Sequence, residues 1–348
     1  MRTIWWEDGK VILINQKKLP SQLTYIECTH YKRVAKAIKT LEIRGAPAIG
    51  IAAAMGLALA AYHTESTTKD HFLKELTRAA KIITSTRPTA QNLFWAANRV
   101  LHKANMSTAP VETAKQEVIH EAQRMAEEDI HINKTMGTYG ATLLDDGDTI
   151  GTICNAGWLA TAGEYGTALG VIKVAHEQGK NISTIALETR PVLQGARLTA
   201  FELQHDGIDV KIITDGAIGY YCYEGLINKF ICGADRIIVS SGCHVINKVG
   251  THTVSITANH YNIPFYVAAP LSTFDPESRL EDAIIEMRNP REITEINGKQ
   301  IVPENVLALN PAFDITPPHL IDAIVTEKGI IYPPFKQNYK KLFTKKSL

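Results

Sequence analysis

Apolar and polar positions change their period along the chain. Trp5–Trp6 and Val11–Ile14 are short apolar runs flanking Asp8-Gly9, a favoured hairpin turn, so a small β-element is expected at the N-terminus. From Tyr31 the period is helical. In Tyr31–Leu41 (YKRVAKAIKTL) apolar residues stand three and four apart. Thr67–Thr84, Gln91–Lys103 and Thr113–Leu144 repeat the pattern, the last with a break expected near Gly137 and Gly140. Ala46–Tyr62 (APAIGIAAAMGLALAAY) is apolar throughout and approaches the length of a membrane span. Its Pro47, Gly50, Gly56 and many alanines suit close helix packing inside a protein, and no Lys/Arg cluster flanks it, so a buried core helix is expected.

From about residue 148 β-rich runs alternate with helical stretches. The runs are Thr149–Ile153, Ile182–Leu187, Val210–Thr214, a segment within Phe230–Val239 that starts near Asp235, and Ile263–Ala268. Gly166–Glu177, Leu193–Leu203, Ala217–Asn228 and Thr251–Tyr261 lie between them as helices. The strands recur at roughly 25–33 residues, the length of a βαβ unit. Ile321–Ile331 adds β-branched residues around a Gly turn. The fold class predicted is α/β. Residues 1–145 form a mainly helical N-terminal domain with its β-hairpin, and 146–348 a Rossmann-like, doubly wound parallel-sheet C-terminal domain.

A length of 348 residues agrees with two domains rather than one core. Lys+Arg number 37 against 36 Asp+Glu, a formal charge of +1, so nothing points to nucleic acid or an anionic membrane as partner. The five cysteines, Cys28, Cys154, Cys222, Cys232 and Cys243, are odd in number and lack CxxC spacing. That disfavours a disulfide framework or a zinc site and fits a reducing compartment, hence the cytoplasm. Glu7 and Asp8 interrupt the opening where a signal peptide needs an apolar stretch. Neither GxGxxG after the first strand nor GxxxxGK[ST] is present, so a dinucleotide or nucleoside-triphosphate site is unsupported.

Ligands of open α/β sheets bind outside the carboxyl ends of the strands, which directs attention to the polar residues there. Cys154 follows the first strand, within Thr152-Ile-Cys154-Asn155-Ala-Gly157. A thiol at a strand-to-helix turn can serve as acid, base or nucleophile, and equally a cysteine is often a buried, inert apolar residue. The second strand ends in Glu188-Thr-Arg190-Pro191, where an ion pair would hold the loop, followed by Gln194 on the first turn of a helix. Asp215-Gly216 follows the third, as a turn or cap. Asp235 in Gly233-Ala-Asp235-Arg236 is either a general acid–base group or half of a surface Asp–Arg pair. Asn247-Lys248-Val-Gly250-Thr251 opens a helix whose free amides, with the lysine, make a plausible phosphate cradle. In the helical half, Arg44 and Arg87 each stand just before a helix start with proline close behind, in IRGAP and TRPT (86–89). With Lys248 they suggest an anion site between the domains.

Taken together, IRGAPAIGIAAA (43–54), TRPTAQNLFWA (86–96), CNAGWLATAGEYGTALGVI (154–172), ETRPVLQGARLTAFEL (188–203), GADRI (233–237), NKVGT (247–251), IPFYVAAPLSTFDP (263–276) and NPAFDITP (310–317) resemble the methylthioribose-1-phosphate isomerases. The broader family includes ribose-1,5-bisphosphate isomerase and the regulatory subunits of translation initiation factor 2B. ETRPxLQGARLTA is the specific run; GADRI alone is weak. The resemblance implies catalysis by Cys154 and Asp235, and substrate contacts from Arg44, Ala46, Arg87, Gln194, Asn247 and Lys248. It also implies a homodimer of two-domain subunits that takes a small sugar phosphate; acid–base isomerisation by these residues requires no metal or organic cofactor, and the sequence shows no metal-ligand cluster. The implied activity is the aldose–ketose isomerisation of 5-methylthioribose 1-phosphate to 5-methylthioribulose 1-phosphate in methionine salvage. The alternatives are a 5-deoxyribose 1-phosphate isomerase and a non-enzymatic regulatory subunit. Three positions depart from the family pattern. Ser240–His244 replaces an Asn-Gly-Asp run, Gly216 stands where Asn is common, and Leu187 stands where an acidic residue is usual. They bear on the substrate more than on the reaction type.

Overall fold

The computed structural model describes residues 1–88, 90–296 and 298–344, so Thr89 of the TRPT motif lies outside the described residues. The chain divides into two compact units. Met1–Lys134 with Gly157–Gly166 forms one; residues 135–156 and those from 167 onward form the other. The division expected at 145/146 falls inside the second unit.

The first unit opens with β1 (Ile4–Glu7), β2 (Lys10–Ile14) and β3 (Tyr25–Cys28), an antiparallel meander in that order. Asp8 and Gly9 both take positive φ, 45° and 76°, the conformation that matches a tight hairpin to strand twist. The hairpin is as expected, and β3 extends it. Then follow α1 (Tyr31–Lys39), α2 (Ala46–His63), α3 (Lys69–Thr84), α4 (Gln91–Met106) and α5 (Val111–Ala141). Although α2 is long and apolar enough to cross a membrane, 72% of that window is buried inside the protein, packed by α1, α3 and α4. Its glycines allow the approach: a Cβ on Gly50 would stand 2.9 Å from Asn92 O of α4, and one on Gly56 2.9 Å from Ile83 Cδ1 of α3. Fully buried Leu57 and Leu59 each contribute roughly 1.5–3 kcal/mol to this core.

The second unit contains β4 (Thr149–Thr152), α6 (Ala168–Glu177), β5 (Ser183–Leu187), α7 (Ala200–His205), β6 (Asp209–Ile213), α8 (Ile218–Tyr223), β7 (Lys229–Cys232), β8 (Arg236–Ile238) and β9 (His244–Lys248). After these come α9 (Thr251–His260), β10 (Phe265–Ala268), β11 (Phe274–Asp275), α10 (Arg291–Thr294), β12 (Glu295–Ile296), β13 (Lys299–Gln300), β14 (Phe313–Thr316), β15 (Ala323–Thr326), β16 (Gly329–Ile331) and α11 (Phe335–Thr344). The main sheet runs β6-β5-β4-β7-β10-β15-β16, parallel except for β16. The chain winds outward from β4 in one direction and from β7 in the other, so the strand order reverses between them. That switch point is where ligands of doubly wound sheets bind.

Two expectations are corrected. The helix break near Gly137 and Gly140 is absent, because α5 runs unbroken to Ala141. Those glycines instead admit α6: a Cβ on Gly137 would stand 2.7 Å from Val174 Cγ2, and one on Gly140 2.4 Å from Val171 Cγ2. The strand placed near Asp235 is two strands. β7 ends at Cys232 in the main sheet, and the chain then leaves it for a smaller sheet ordered β11-β8-β9-β14. Asp235 is therefore in the crossing loop, not at the start of a sheet strand.

Candidate active site

Cys154 follows β4 by two residues and is buried, with φ of 67°. Its N–H donates to Thr189 Oγ1 (2.9 Å) and its C=O accepts from Thr199 Oγ1 (2.7 Å). Asn155 points its amide inward, donating to Glu202 Oε1 (2.7 Å) and Thr199 Oγ1 (3.3 Å). Thr189 and Thr199 come from the connection between β5 and α7, which turns sharply. Thr189 and Leu193 also have positive φ, 64° and 61°, and Gly195–Thr199 is a π-helical turn, a form common at functional sites. Gly195 permits that turn, since a Cβ there would lie 1.7 Å from Leu187 O. Gln194, just before it, is buried, and its Oε1 has no donor among the described residues. Such an acceptor is suited to a ligand hydroxyl.

The loop after β7 closes on the same edge. β4 pairs with β7 as Ile150↔Lys229 and Gly151↔Phe230, a register that sets the Cys154 turn opposite Gly233 if continued. A Cβ on Gly233 would stand 2.9 Å from Ala156 Cβ. Asp235 follows, half-buried, its N–H bonded to Ile246 O of β9 (2.9 Å). The surface pair expected with Arg236 is not formed, because Arg236 Nε donates to Asp275 Oδ2 (2.8 Å). Burial opposes the charge on Asp275, yet hydrogen bonds from Ser278 and Arg236 hold its carboxyl down at about 2. The pair expected between Glu188 and Arg190 is also replaced. Arg190 gives its guanidinium to Pro191 O and Ile293 O, and Asp215 accepts the N–H groups of Thr189 (2.8 Å) and Arg190 (2.7 Å). Asp215 thus caps the turn after β5 rather than its own.

Asn247 and Lys248 end β9 and are both buried. Lys248 Nζ donates to Ala312 O (2.7 Å) and lies 5.1 Å from the Phe313 ring centroid. Asn247 Nδ2 donates to Thr251 Oγ1 (3.1 Å). The cradle of free amides expected at the start of α9 is corrected: Gly250 N–H (2.6 Å) and His252 N–H (3.2 Å) already bond Asp314. The anion at this helix start is the chain's own. Burial pushes the Asp314 carboxyl up, against the pull of those amides, His252 and Lys248. Cys232 is pushed up by burial first, and further by the charges of Asp314 and Cys154.

In the first unit, Arg44 and Ala46 flank Gly45, whose φ of 97° and contact with Ala160 (2.4 Å from a Cβ to Cα) exclude a larger residue. Arg87 is half-buried ahead of α4. The Gly50–Asn92 approach sets the N-terminal parts of α2 and α4 side by side, so the Arg44 and Arg87 segments that precede them lie toward the same end of the helix pair. A cleft of about 400 Å³, lined by residues including Arg2, Trp5, Trp6, Tyr25 and Glu127, contains none of the catalytic or binding residues expected from sequence. Sequence reasoning missed Thr189, Thr199, Glu202 and Asp314. Three lie inside ETRPVLQGARLTAFEL and the fourth inside NPAFDITP, so the stretches were marked but the roles were not.

A profile of the "Initiation factor 2 subunit family" matches residues 42–333. The methylthioribose-1-phosphate isomerase of Thermosipho melanesiensis is 50% identical over 342 residues, covering 98% of this chain and 98% of that protein. Among solved structures, the 5-methylthioribose 1-phosphate isomerase of Pyrococcus horikoshii superposes with a TM-score of 0.91 at 42% identity, over 99% of this chain and 96% of that one. A protein of Archaeoglobus fulgidus described as translation initiation factor eIF-2B, subunit delta, superposes with a TM-score of 0.89 at 49% identity, over 99% of both chains.

Proposed function

The chain belongs to the initiation factor 2 subunit family, and from that membership we propose that it isomerises 5-methylthioribose 1-phosphate to 5-methylthioribulose 1-phosphate. The isomerase assignment is supported by the full-length identity to relatives bearing that name. The observation that carries the mechanism is Cys154, a non-glycine residue held at φ 67° where the strand order of the sheet reverses.

A phosphate on the anomeric carbon prevents spontaneous ring opening. The reaction must therefore protonate the ring oxygen as its bond to C1 breaks, and move hydrogen from C2 to C1. The products are a carbonyl at C2 and a CH₂ at C1. This reading gives Asp235 the proton for the ring oxygen and Cys154 the C2 side. Arg44, Arg87 and Lys248 supply charge for the phosphate, and Ala46, Gln194 and Asn247 contact the remainder. The same reading takes the two units as domains of a homodimeric cytoplasmic enzyme, with neither nucleic acid nor membrane as partner.

The initiation-factor description of the Archaeoglobus protein favours a second reading, a regulator that binds a ligand without turning it over. Incubation of the pure protein with methylthioribose 1-phosphate separates the two. Ketose formation supports the isomerase; binding without turnover supports the regulator. Of the departures from the family pattern, Gly216 is exposed and a Cβ there would meet nothing within 4 Å, so the missing side chain leaves no packing defect. The Ser240–His244 turn is held by Lys336 Nζ on Ser240 O (2.6 Å) and by His244 Nδ1 against Ser241 O (2.9 Å). A substrate lacking the methylthio group loses only about 1–3 kcal/mol of discrimination, so 5-deoxyribose 1-phosphate is the substrate to compare.

A further inference from the structure

The Cys154 peptide is held from both sides by threonines of one connection. On one side its N–H donates to Thr189 Oγ1, which in turn donates to Leu187 O (3.0 Å). On the other its C=O accepts from Thr199 Oγ1. The second chain has a direction. The Asn155 amide carries two protons, giving one to Glu202 Oε1 and one to Thr199 Oγ1. Thr199 has a single proton, which leaves it for the Cys154 carbonyl. Each chain is tied to a carboxylate, Asp215 through the Thr189 N–H and Glu202 through Asn155. Thr189, Thr199, Asn155 and Glu202 are at most 3% exposed. Burying a carboxylate is unfavourable, and strained backbone persists only where its surroundings over-determine it. Packing alone supplies no reason for a carboxylate at this depth.

We infer that Thr199, oriented by the Asn155–Glu202 pair, is a positioning residue for the isomerisation: it locks the Cys154 peptide in its left-handed conformation and so fixes the direction of Sγ. The inference rests on the reading of Cys154 as a proton-transferring group. Thr199 touches no reacting atom. Its effect is on the placement of the thiol, and misplacing a reacting group by about 1 Å lowers a rate by roughly a hundredfold.

Thr199→Val removes the hydroxyl at constant shape, and Thr199→Ser keeps it. The expected result is a kcat lowered roughly tenfold to a hundredfold by valine with KM within about twofold, and recovery to within about threefold by serine. A second readout needs no substrate. Iodoacetamide attacks thiolates, and burial pushes Cys28 and Cys222 up to about 11 and Cys243 up to about 12, which suppresses their reaction at pH 8. The alkylation rate at Cys154, read by peptide mass, is expected to change in Thr199→Val and not in Thr199→Ser. If the valine variant does not fold by circular dichroism, Thr199→Ala removes the same hydroxyl and carries the same expectation. Wild-type kcat and alkylation rate without the hydroxyl would overturn the inference, as would equal losses in the valine and serine variants. Cys154→Ala tells the two failures apart. Wild-type turnover in that variant means the Cys154 reading has failed. An inactive Cys154→Ala beside a fully active Thr199→Val means that only the positioning inference has.

Discussion

A left-handed backbone at a residue with a side chain is unfavourable by about 1–2 kcal/mol, and Cys154 carries that strain at φ 67°. Cys154→Ala and Cys154→Ser should keep the fold and abolish turnover, since an alcohol is a far poorer proton-transfer group near neutral pH than a thiol. Asp235→Asn should do the same, because an amide keeps the shape and cannot donate the proton. Steady-state turnover beside a thermal melt checks both; an active variant of either residue removes it from the mechanism. For the phosphate, Arg44→Ala, Arg87→Ala and Lys248→Ala should each raise KM by roughly tenfold to a hundredfold, as charge-assisted hydrogen bonds are worth about 1.5–3 kcal/mol. Unchanged KM in all three would place the phosphate elsewhere.

Among the elements, two local devices hold the sheet edge in shape. Asp314 binds the first amides of α9, so Asp314→Ala should lower stability by about 1–2 kcal/mol, seen in denaturant unfolding. Gly195 lies against Leu187 O, so Gly195→Ala should destabilise by more than that, because a backbone oxygen cannot yield as a side chain does. A melt of Gly195→Ala equal to wild type would contradict the close approach. Most elements were legible in the sequence, because apolar period reports which face is buried: α1, α2, β4, β5, β6, α9 and β10 stand within a few residues of expectation. The errors share a cause, since a glycine or a short β-run has one appearance and several uses. Gly137 and Gly140 read as a helix break and serve as contact surface for α6. Phe230–Val239 reads as one strand and is two, because nothing local says that a chain leaves one sheet for another. Among the candidate residues, Cys154 and Asp235 were marked by their places near apolar strand ends and assigned a role only through the family resemblance. Thr189, Thr199 and Glu202 did not, because their partners are up to 47 residues distant in sequence.

For the whole molecule, pH acts through buried carboxyls. Asp129 of α5 accepts the Ala162 N–H (2.7 Å), and burial pushes its carboxyl up to about 6. The unfolded chain releases that proton near pH 4 and the folded one near 6, so this group's contribution to stability is full below about pH 4 and falls as pH rises through 6. Asp129→Asn should remove that decline from a melting series between pH 4 and 7. An identical decline in the variant would assign it to other groups. Function is tested most directly by one comparison: kcat/KM of the pure protein for 5-methylthioribose 1-phosphate, 5-deoxyribose 1-phosphate and ribose 1,5-bisphosphate, with the ketose product read by NMR. Turnover of methylthioribose 1-phosphate, lost in Cys154→Ala, is the predicted result. A preference of about a hundredfold or more for the deoxy sugar would run opposite to the loss expected from a missing apolar group and would reassign the substrate. Binding of all three with no ketose formed would contradict the account.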